Sequence, residues 1–449
     1  MHLQNDDLEV RTREKLDIKE NQPFCSRARH SAGVTLVRSC RKELGMSNLE
    51  AKFAGLGAEN APGQEVRQNA DDLKAVMRGD VIPGRAVDFS HGDVDAFAPM
   101  PDARKAWEAG YDLGGAQAYT EYRGAAEIRA DVSKSLAGFT GAPIDPVDEL
   151  IITPGTQGAL FLALGAVVDQ GTKVAIIEPD YFANRKLVRF FGGEILPIPL
   201  RYHDMPDQNG PNLDALEAAC KAGAEVFVFS TPNNPTGQVF GETAIMRIAD
   251  LAAQYDMTLI VDQLYSRLLY SGEGYTHLRA CATRPDKLVT IMGPSKTESL
   301  SGFRLGVAFG SAALIDRMEK LQAIVSLRAA GYSQAALKTW FHEPEGWMDA
   351  RIAQHEAIRD DLLAVFRTAG FRTATSQAGS YVFPELPELV VSPEVFVRLL
   401  RLQAGVTVTP GAEFSPHTTS SIRLNFSQDH TAAVAAAHRI VKMVKRYCA

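Results

Sequence analysis

The chain has 449 residues, of which 45% are hydrophobic and 22% charged, enough for one large and one small domain with separate cores. A net charge of -7 removes the basic face that nucleic acid or an anionic membrane would need, and leaves room only for local basic pockets. The five cysteines (Cys25, Cys40, Cys220, Cys281, Cys448) are scattered and never form a C-x-x-C pair, which suggests neither a disulfide framework nor a zinc knuckle and points to a reducing cytoplasm.

Residues 1–60 mix both charges densely, with few apolar residues and no sustained period, and are predicted to be a poorly ordered extension. They lack the apolar core of a signal peptide, no stretch of about 18 apolar residues occurs anywhere, and "GMSNLEAKF" at Met46 is an alternative start. From about residue 88 the pattern becomes regular. Apolar runs of strand length recur at "ELIITP" (149–154), "KVAIIEP" (173–179), "VFVFSTP" (226–232), "MTLIVD" (257–262) and "KLVTIMG" (287–293). Their near-continuous Val and Ile content suits strands buried on both faces. Helix-like segments such as "GALFLALGAVVDQG" and "TAIMRIADLAAQYD" lie between them, the alternation of a doubly wound parallel sheet. After residue 340 a long polar helix, "SYVFPEL", a helix at "SPEVFVRLLRLQAG", the short strand "GVTVTP", "SIRLNFS" and a last helix read as a smaller α+β domain.

Ligands of open parallel sheets sit beyond the carboxyl ends of the strands. Four of the runs are followed there by "PGTQG", "DYF", "PNNPTG" and "GPSK", and the fifth ends in Asp262. At "TPGTQGAL" a strand turns into an apolar helix, so amides and a hydroxyl at Gly155, Thr156 and Gln157 can face an anion, although an ordinary capped turn reads the same way. A nucleotide P-loop is disfavoured, since the nearest approximation, "GDVIPGRA", lacks the lysine and follows no strand. Asp262 ends an apolar strand with no cation beside it in sequence, so it needs a cationic or proton-sharing partner. Lys296 poses the complementary problem: near a buried sheet edge desolvation favours the neutral, nucleophilic amine. A plain salt bridge between Asp262 and Lys296 satisfies the same residues.

Together "PNNPTG" (232–237), "VDQLYS" (261–266) and "GPSKTESLSGFRLG" (293–306) resemble the class I/II aminotransferases of the fold-type I pyridoxal-phosphate enzymes, and the match runs from about residue 86 to the C-terminus. The pairing of Lys296 with Arg304 eight residues on is its most specific element. The resemblance implies an α/β fold with a mostly parallel seven-stranded sheet between helices and a smaller α+β C-terminal domain. It also implies an arm at 61–90 that joins the small domain, a large cofactor-binding domain at 91–335, and a small domain at 336–449.

Pyridoxal 5′-phosphate is the implied cofactor. Lys296 then looks like the residue that forms the Schiff base and shuttles a proton, Asp262 the partner of the ring nitrogen, and Tyr265 and Asn234 the donors to the ring 3′-oxygen. Tyr181 would stack on the ring. Gly155, Thr156, Gln157, Ser295 and Arg304 would hold the phosphate, joined by Tyr119 from the neighbouring subunit of a homodimer. Arg423 in "SIRLNFS" would hold the substrate α-carboxylate, with Gly92 and Asn234 beside the substrate, while His91 and Tyr381 read equally as pocket lining or as packing.

Two departures stand out. Gln263 follows the ring-binding aspartate where relatives carry an acid, and Arg328, near the position of a dicarboxylate-binding arginine, is one residue out of register and reads as a surface ion pair. The implied activity is transfer of an α-amino group from an L-amino acid to a 2-oxo acid by a ping-pong route through pyridoxamine phosphate. The same residues serve a β-lyase equally well, and a non-catalytic cofactor-binding regulator is a further alternative.

Overall fold

The computed structural model describes residues 48–57, 71–92, 95–203 and 209–449. Most of the expected N-terminal extension, and the alternative start at Met46, fall outside the described residues; within that stretch Asn48–Ala54 form a helix. Lys52–Ala449 make one compact unit.

A sheet of eight strands runs through it: β2 (Leu150–Pro154), β3 (Lys173–Glu178), β4 (Glu194–Arg201), β5 (Gly210–Pro211), β6 (Val226–Ser230), β7 (Thr258–Asp262), β8 (Leu288–Met292) and β9 (Leu305–Gly310), after a short β1 (Val87–Asp88) outside it. The order across the sheet is β2-β9-β8-β7-β6-β3-β4-β5. The five strands expected from their apolar runs are all present. β4 and β9 lie outside those five runs: β4 carries Pro197 and Pro199 and is half exposed, and β9 begins within the "GFRLG" motif. The two-residue β5 extends the sheet beyond the expected seven, pairing antiparallel with β4.

Alternation of side chains divides each buried strand between two cores. Ala175, Ile177, Phe227, Phe229, Leu259 and Val261 pack on one face with the helices Leu213–Lys221 and Glu242–Gln254. Val174, Ile176, Val226, Val228, Ile260, Val289 and Ile291 pack on the other with Gly155–Val167 and Ala312–Val325. Because both faces are covered, the edge at the carboxyl ends is where polar groups collect.

β9 runs antiparallel to both β2 and β8. Its first residue therefore stands at the same edge as the last residues of its neighbours, which brings Arg304 beside the turn at Gly155. The approach is close: a Cβ on Gly306 would lie 2.4 Å from the Gly155 carbonyl carbon and the Thr156 nitrogen.

The C-terminal elements form β10 (Tyr381–Val382), β11 (Val406–Thr407), β12 (Thr409–Pro410) and β13 (Ile422–Asn425), with β10 and β12 antiparallel on either side of β13. The helices Trp347–Thr368, Pro393–Ala404 and His430–Tyr447 pack around Leu362, Phe366, Phe396, Leu400, Leu424, Phe426 and Ile440. Local signals fix their ends: Ser392 and Asp429 accept the first amides, Pro393 opens its helix, and Gly405 closes it at φ 60°. β1 pairs with β11, and Leu73, Val87 and Phe89 enter this same core.

Gly306→Ala, which meets backbone that cannot give way, is expected to cost about 1–3 kcal/mol of stability, read as a lowered urea midpoint.

Candidate active site

At the carboxyl edge lies a cavity of about 250 Å³. Thr156, Gln157, Tyr181, Asn234, Asp262, Tyr265, Ser295, Lys296, Arg304 and Arg423 all line it. They arrive from the ends of β2, β3, β6, β7 and β8, the start of β9, and β13. Gly155 stands directly behind: its φ is +77°, and a Cβ there would lie 2.6 Å from Arg304 Nη2. Gly92 lines a neighbouring chamber that shares Lys296 and Ser295 with the first. Tyr119 does not reach the cavity of its own chain and is 81% exposed.

The amine of Lys296 makes no hydrogen bond or ion pair among the described residues, so the salt bridge with Asp262 left open by the sequence does not form. Asp262 accepts instead from the Leu264 amide at 2.9 Å. Burial pushes its carboxyl up to about 6, against the pull of that amide and of the Lys296 charge. Arg304 donates to the Ser301 carbonyl at 3.1 Å and sits in the left-handed region at φ 54°, a conformation that aims its guanidinium back at the Gly155 turn. With the helix start at residues 155–157 and the Ser295 hydroxyl, it makes a cradle for a doubly charged anion.

Arg423 is 3% exposed, donates to the Ser90 carbonyl (2.8 Å), Thr409 Oγ1 (3.1 Å) and Asn234 Oδ1 (3.3 Å), and keeps a buried Nε with no partner. It faces the rings of Tyr381 and Phe414 at 4.7 and 5.0 Å and forms no ion pair among the described residues. An incoming carboxylate is the group this guanidinium lacks.

Tyr381, ambiguous in sequence, is a hub. Its hydroxyl lies 2.5 Å from that of Tyr265 and accepts a hydrogen bond from Asn234 Nδ2 at 3.4 Å. Burial and this contact hold the Tyr265 phenol well above its ordinary value, so it is a hydrogen-bond donor at neutral pH. Tyr181 donates to Gln157 Oε1 at 2.8 Å, which fixes its ring along the cavity wall.

Sequence reasoning missed Asp180 and Ser230. Asp180 accepts from the amides of Tyr181 (2.6 Å) and Ser230 (2.9 Å) and from the Ser230 hydroxyl, and burial pushes it up to about 8. Ser230 Oγ in turn accepts from the Asn234 amide at 3.1 Å, so this pair sets the height of the loop that carries Asn234. The aspartate before Tyr181 was visible in "EPDYF", but nothing in sequence placed it beside Ser230. Arg328, expected as a surface ion pair, lies instead over the rings of Tyr119 and Tyr122 at 5.7 and 5.5 Å, with no carboxylate partner among the described residues.

The family model for aminotransferase class I and II matches residues 85–440. A crystal structure of an aspartate aminotransferase from Rhodobacter sphaeroides is 62% identical, superposes with a TM-score of 0.86, and covers 90% of this chain and 100% of its own. The aspartate/prephenate aminotransferase of Thermus thermophilus is 25% identical over 87% of this chain and 95% of its own. Aromatic-amino-acid aminotransferase 2 of Thermococcus litoralis is 23% identical over 73% and 84%.

The raised Asp262 carboxyl has a consequence for stability. With about 6 in the folded state against 3.8 ordinarily, the folded protein binds the proton more tightly, so this group stabilises as pH falls through 6 and destabilises fully above it. In cofactor-free protein Asp262→Asn is therefore expected to raise stability by about 1–2 kcal/mol at alkaline pH, with the gain vanishing in acid, as measured by urea unfolding at fixed protein concentration.

Proposed function

As the chain belongs to the class I and II aminotransferases and so moves amino groups between amino acids and 2-oxo acids, we propose that it works with pyridoxal 5′-phosphate held in the cavity around Lys296. The observation that carries this reading is that Lys296, Arg304 and Arg423, none of them in an ion pair among the described residues, face one cavity with Asp262. Each fits one charged or reactive part of the cofactor and its substrate. Bound there, the ring would supply an electron sink for the carbanion formed at the substrate Cα.

The chain's own groups divide the remaining work. Lys296 would hold the cofactor aldehyde covalently and, once released, carry a proton to and from the substrate carbon. Asp262 would keep the ring nitrogen protonated, which also offsets the cost of its own burial. Tyr265 and Asn234 would donate to the ring oxygen, with Tyr381 fixing the tyrosine hydroxyl and Ser230 fixing the loop. Tyr181, turned by Gln157, would cover the ring face. Gly155, Thr156, Ser295 and Arg304 would hold the phosphate, and Arg423 the substrate α-carboxylate through its unpartnered Nε.

A homodimer is part of this reading. Trp107, Tyr111, Leu113, Tyr119 and Leu327 are apolar side chains left exposed, and Tyr119, 81% exposed with Arg328 over its ring, would enter a second copy's phosphate site. Leu73, Val87 and Phe89 in the C-terminal core support an arm before residue 91 that belongs with a small domain at 336–449, apart from a large domain at 91–335. Cys220, Cys281 and Cys448 are free thiols, which suits a cytoplasmic protein, and among the described residues no helix is long and apolar enough to cross a membrane.

Borohydride reduction of cofactor-loaded protein is expected to label Lys296, and Lys296→Ala to abolish exchange of amino groups; a label elsewhere overturns the site. Release of pyruvate and ammonia without a 2-oxo acid would point to elimination instead. Arg423→Ala is expected to raise KM for amino acids by about 10- to 100-fold, since two charge-assisted hydrogen bonds of roughly 1.5–3 kcal/mol each are lost in part to water. Tyr119→Ala is expected to weaken cofactor binding in an otherwise intact dimer, checked by sedimentation and by fluorescence titration with the cofactor.

A further inference from the structure

β7 and β8 are hydrogen-bonded neighbours, and beyond their carboxyl ends the chain makes two turns that face the cavity. The turn after β7 carries Leu264 and Tyr265, and the turn after β8 carries Ser295 and Lys296. Each is braced within itself. In the first, the Ser266 and Leu268 amides donate to the Gln263 and Tyr265 carbonyls, both at 2.9 Å; in the second, the Ser299 and Leu300 amides donate to the Lys296 and Pro294 carbonyls at 3.1 and 3.0 Å. The strand ladder has ended there. Among the described residues the hydrogen bonds that join residues 264–268 to residues 294–300 come down to one, from Arg267 Nη1 to Glu298 Oε1. Arg267 stands two residues after Tyr265, and Glu298 two residues after Lys296.

The contact is buried and shared. Glu298 is 1% exposed, and the Arg267 and Glu343 side chains are 10% and 9% exposed. The same Nη1 reaches Glu343 Oε1 at 2.6 Å, Trp340 Nε1 donates to Glu298 Oε1 at 3.2 Å, and the guanidinium lies over the Phe341 ring at 4.0 Å. The segment 340–343 thus backs both turns at once. Its backbone is not relaxed: Phe341 is held in the left-handed region at φ 68°, and so is Ser299, next to Glu298, at φ 58°. Ser299 is fixed in turn by Arg351, which donates Nη1 to its Oγ at 2.9 Å from the helix Trp347–Thr368.

A buried ion cluster is a poor route to stability, because taking the charges out of water costs about as much as their attraction returns, and apolar side chains of similar size often hold as well. What the charges add is register. A carboxylate that misses its guanidinium is left buried and uncompensated, so the two turns have one favoured alignment.

We propose that Arg267 and Glu298 are positioning residues for the transfer reaction: their buried contact, shared with Glu343, sets the Tyr265 turn against the Lys296 turn, and so the place of the lysine amine relative to the phenol. The inference rests on the reading of Lys296 and Tyr265 as the groups that meet the cofactor. Neither Arg267 nor Glu298 lines the cavity, so both act through the turns that carry them. An amine that moves a proton to and from one carbon tolerates little displacement, and an error on the order of 1 Å costs about 100-fold in rate.

The test uses the cofactor-loaded protein and the variants Arg267→Met, Arg267→Lys and Glu298→Gln, each checked for folding by urea unfolding. Two quantities are read: the pH midpoint of the bound cofactor's absorbance, and the split between kcat and KM for whichever standard L-amino acid wild type converts fastest. In Arg267→Met kcat is expected to fall by about 10- to 100-fold while KM moves by less than about threefold, since Arg423 is held by separate contacts to Ser90 and Thr409. Arg267→Lys is expected to recover most of kcat, because a single nitrogen makes both carboxylate contacts. If Arg267→Met does not fold, the other two variants decide. Glu298→Gln separates position from charge: a turn that slips weakens the Tyr265 hydrogen bond to the ring oxygen and moves the absorbance midpoint up, whereas loss of a negative charge with the register intact leaves Arg267 less compensated and moves it down. An unchanged kcat in Arg267→Met with a lowered urea midpoint, or a downward shift in Glu298→Gln, overturns the proposal while the cofactor site stands. A borohydride label away from Lys296 in wild type overturns the cofactor reading, and the proposal with it.

Discussion

A cation held against a protein interior without a carboxylate of its own is unfavourable unless some other group supplies the negative charge or accepts its protons. Arg423, 3% exposed, stands at the cavity in that condition among the described residues, and Lys296 and Arg304, which are less buried, line the same cavity with no ion pair among the described residues. Elsewhere the buried arginines differ: Arg129 and Arg267 are matched to Glu121, Glu298 or Glu343, whereas Arg439 forms no ion pair among the described residues. Asp262 and Asp180 carry the complementary cost, both pushed up by burial beside that same space.

What holds these groups in place is the sheet edge. Because both faces of β3, β6, β7 and β8 are covered, their carboxyl ends are the natural exit for polar side chains, and the reversed β9 adds Arg304 to the same edge. The supporting contacts are short and local. Asp180 fixes Ser230 and Ser230 fixes Asn234; Tyr381 fixes Tyr265; Gln157 fixes Tyr181. Each is a polar group whose own hydrogen bonding is completed by the residue it positions.

From sequence the fold class was legible because strand runs buried on both faces read as continuous Val and Ile, and the lining of the first cavity because "PNNPTG", "VDQLYS" and "GPSKTESLSGFRLG" resemble the family's motifs, with Lys296 and Arg304 in the one segment that joins β8 to β9. Those are local facts, and local pattern records them. The tertiary structure alone decided that Asp262 and Lys296 share a cavity without pairing, that Arg328 packs on tyrosines, that Tyr381 is a hub, and that Ser230 meets Asp180 fifty residues away. It alone set Arg351 behind Ser299, from the long helix at Trp347–Thr368 to the loop after Lys296. Such contacts join elements far apart in the chain, and no periodicity or spacing records which polar side chain ends beside which, since that depends on how the helices and the edge of the sheet pack in three dimensions.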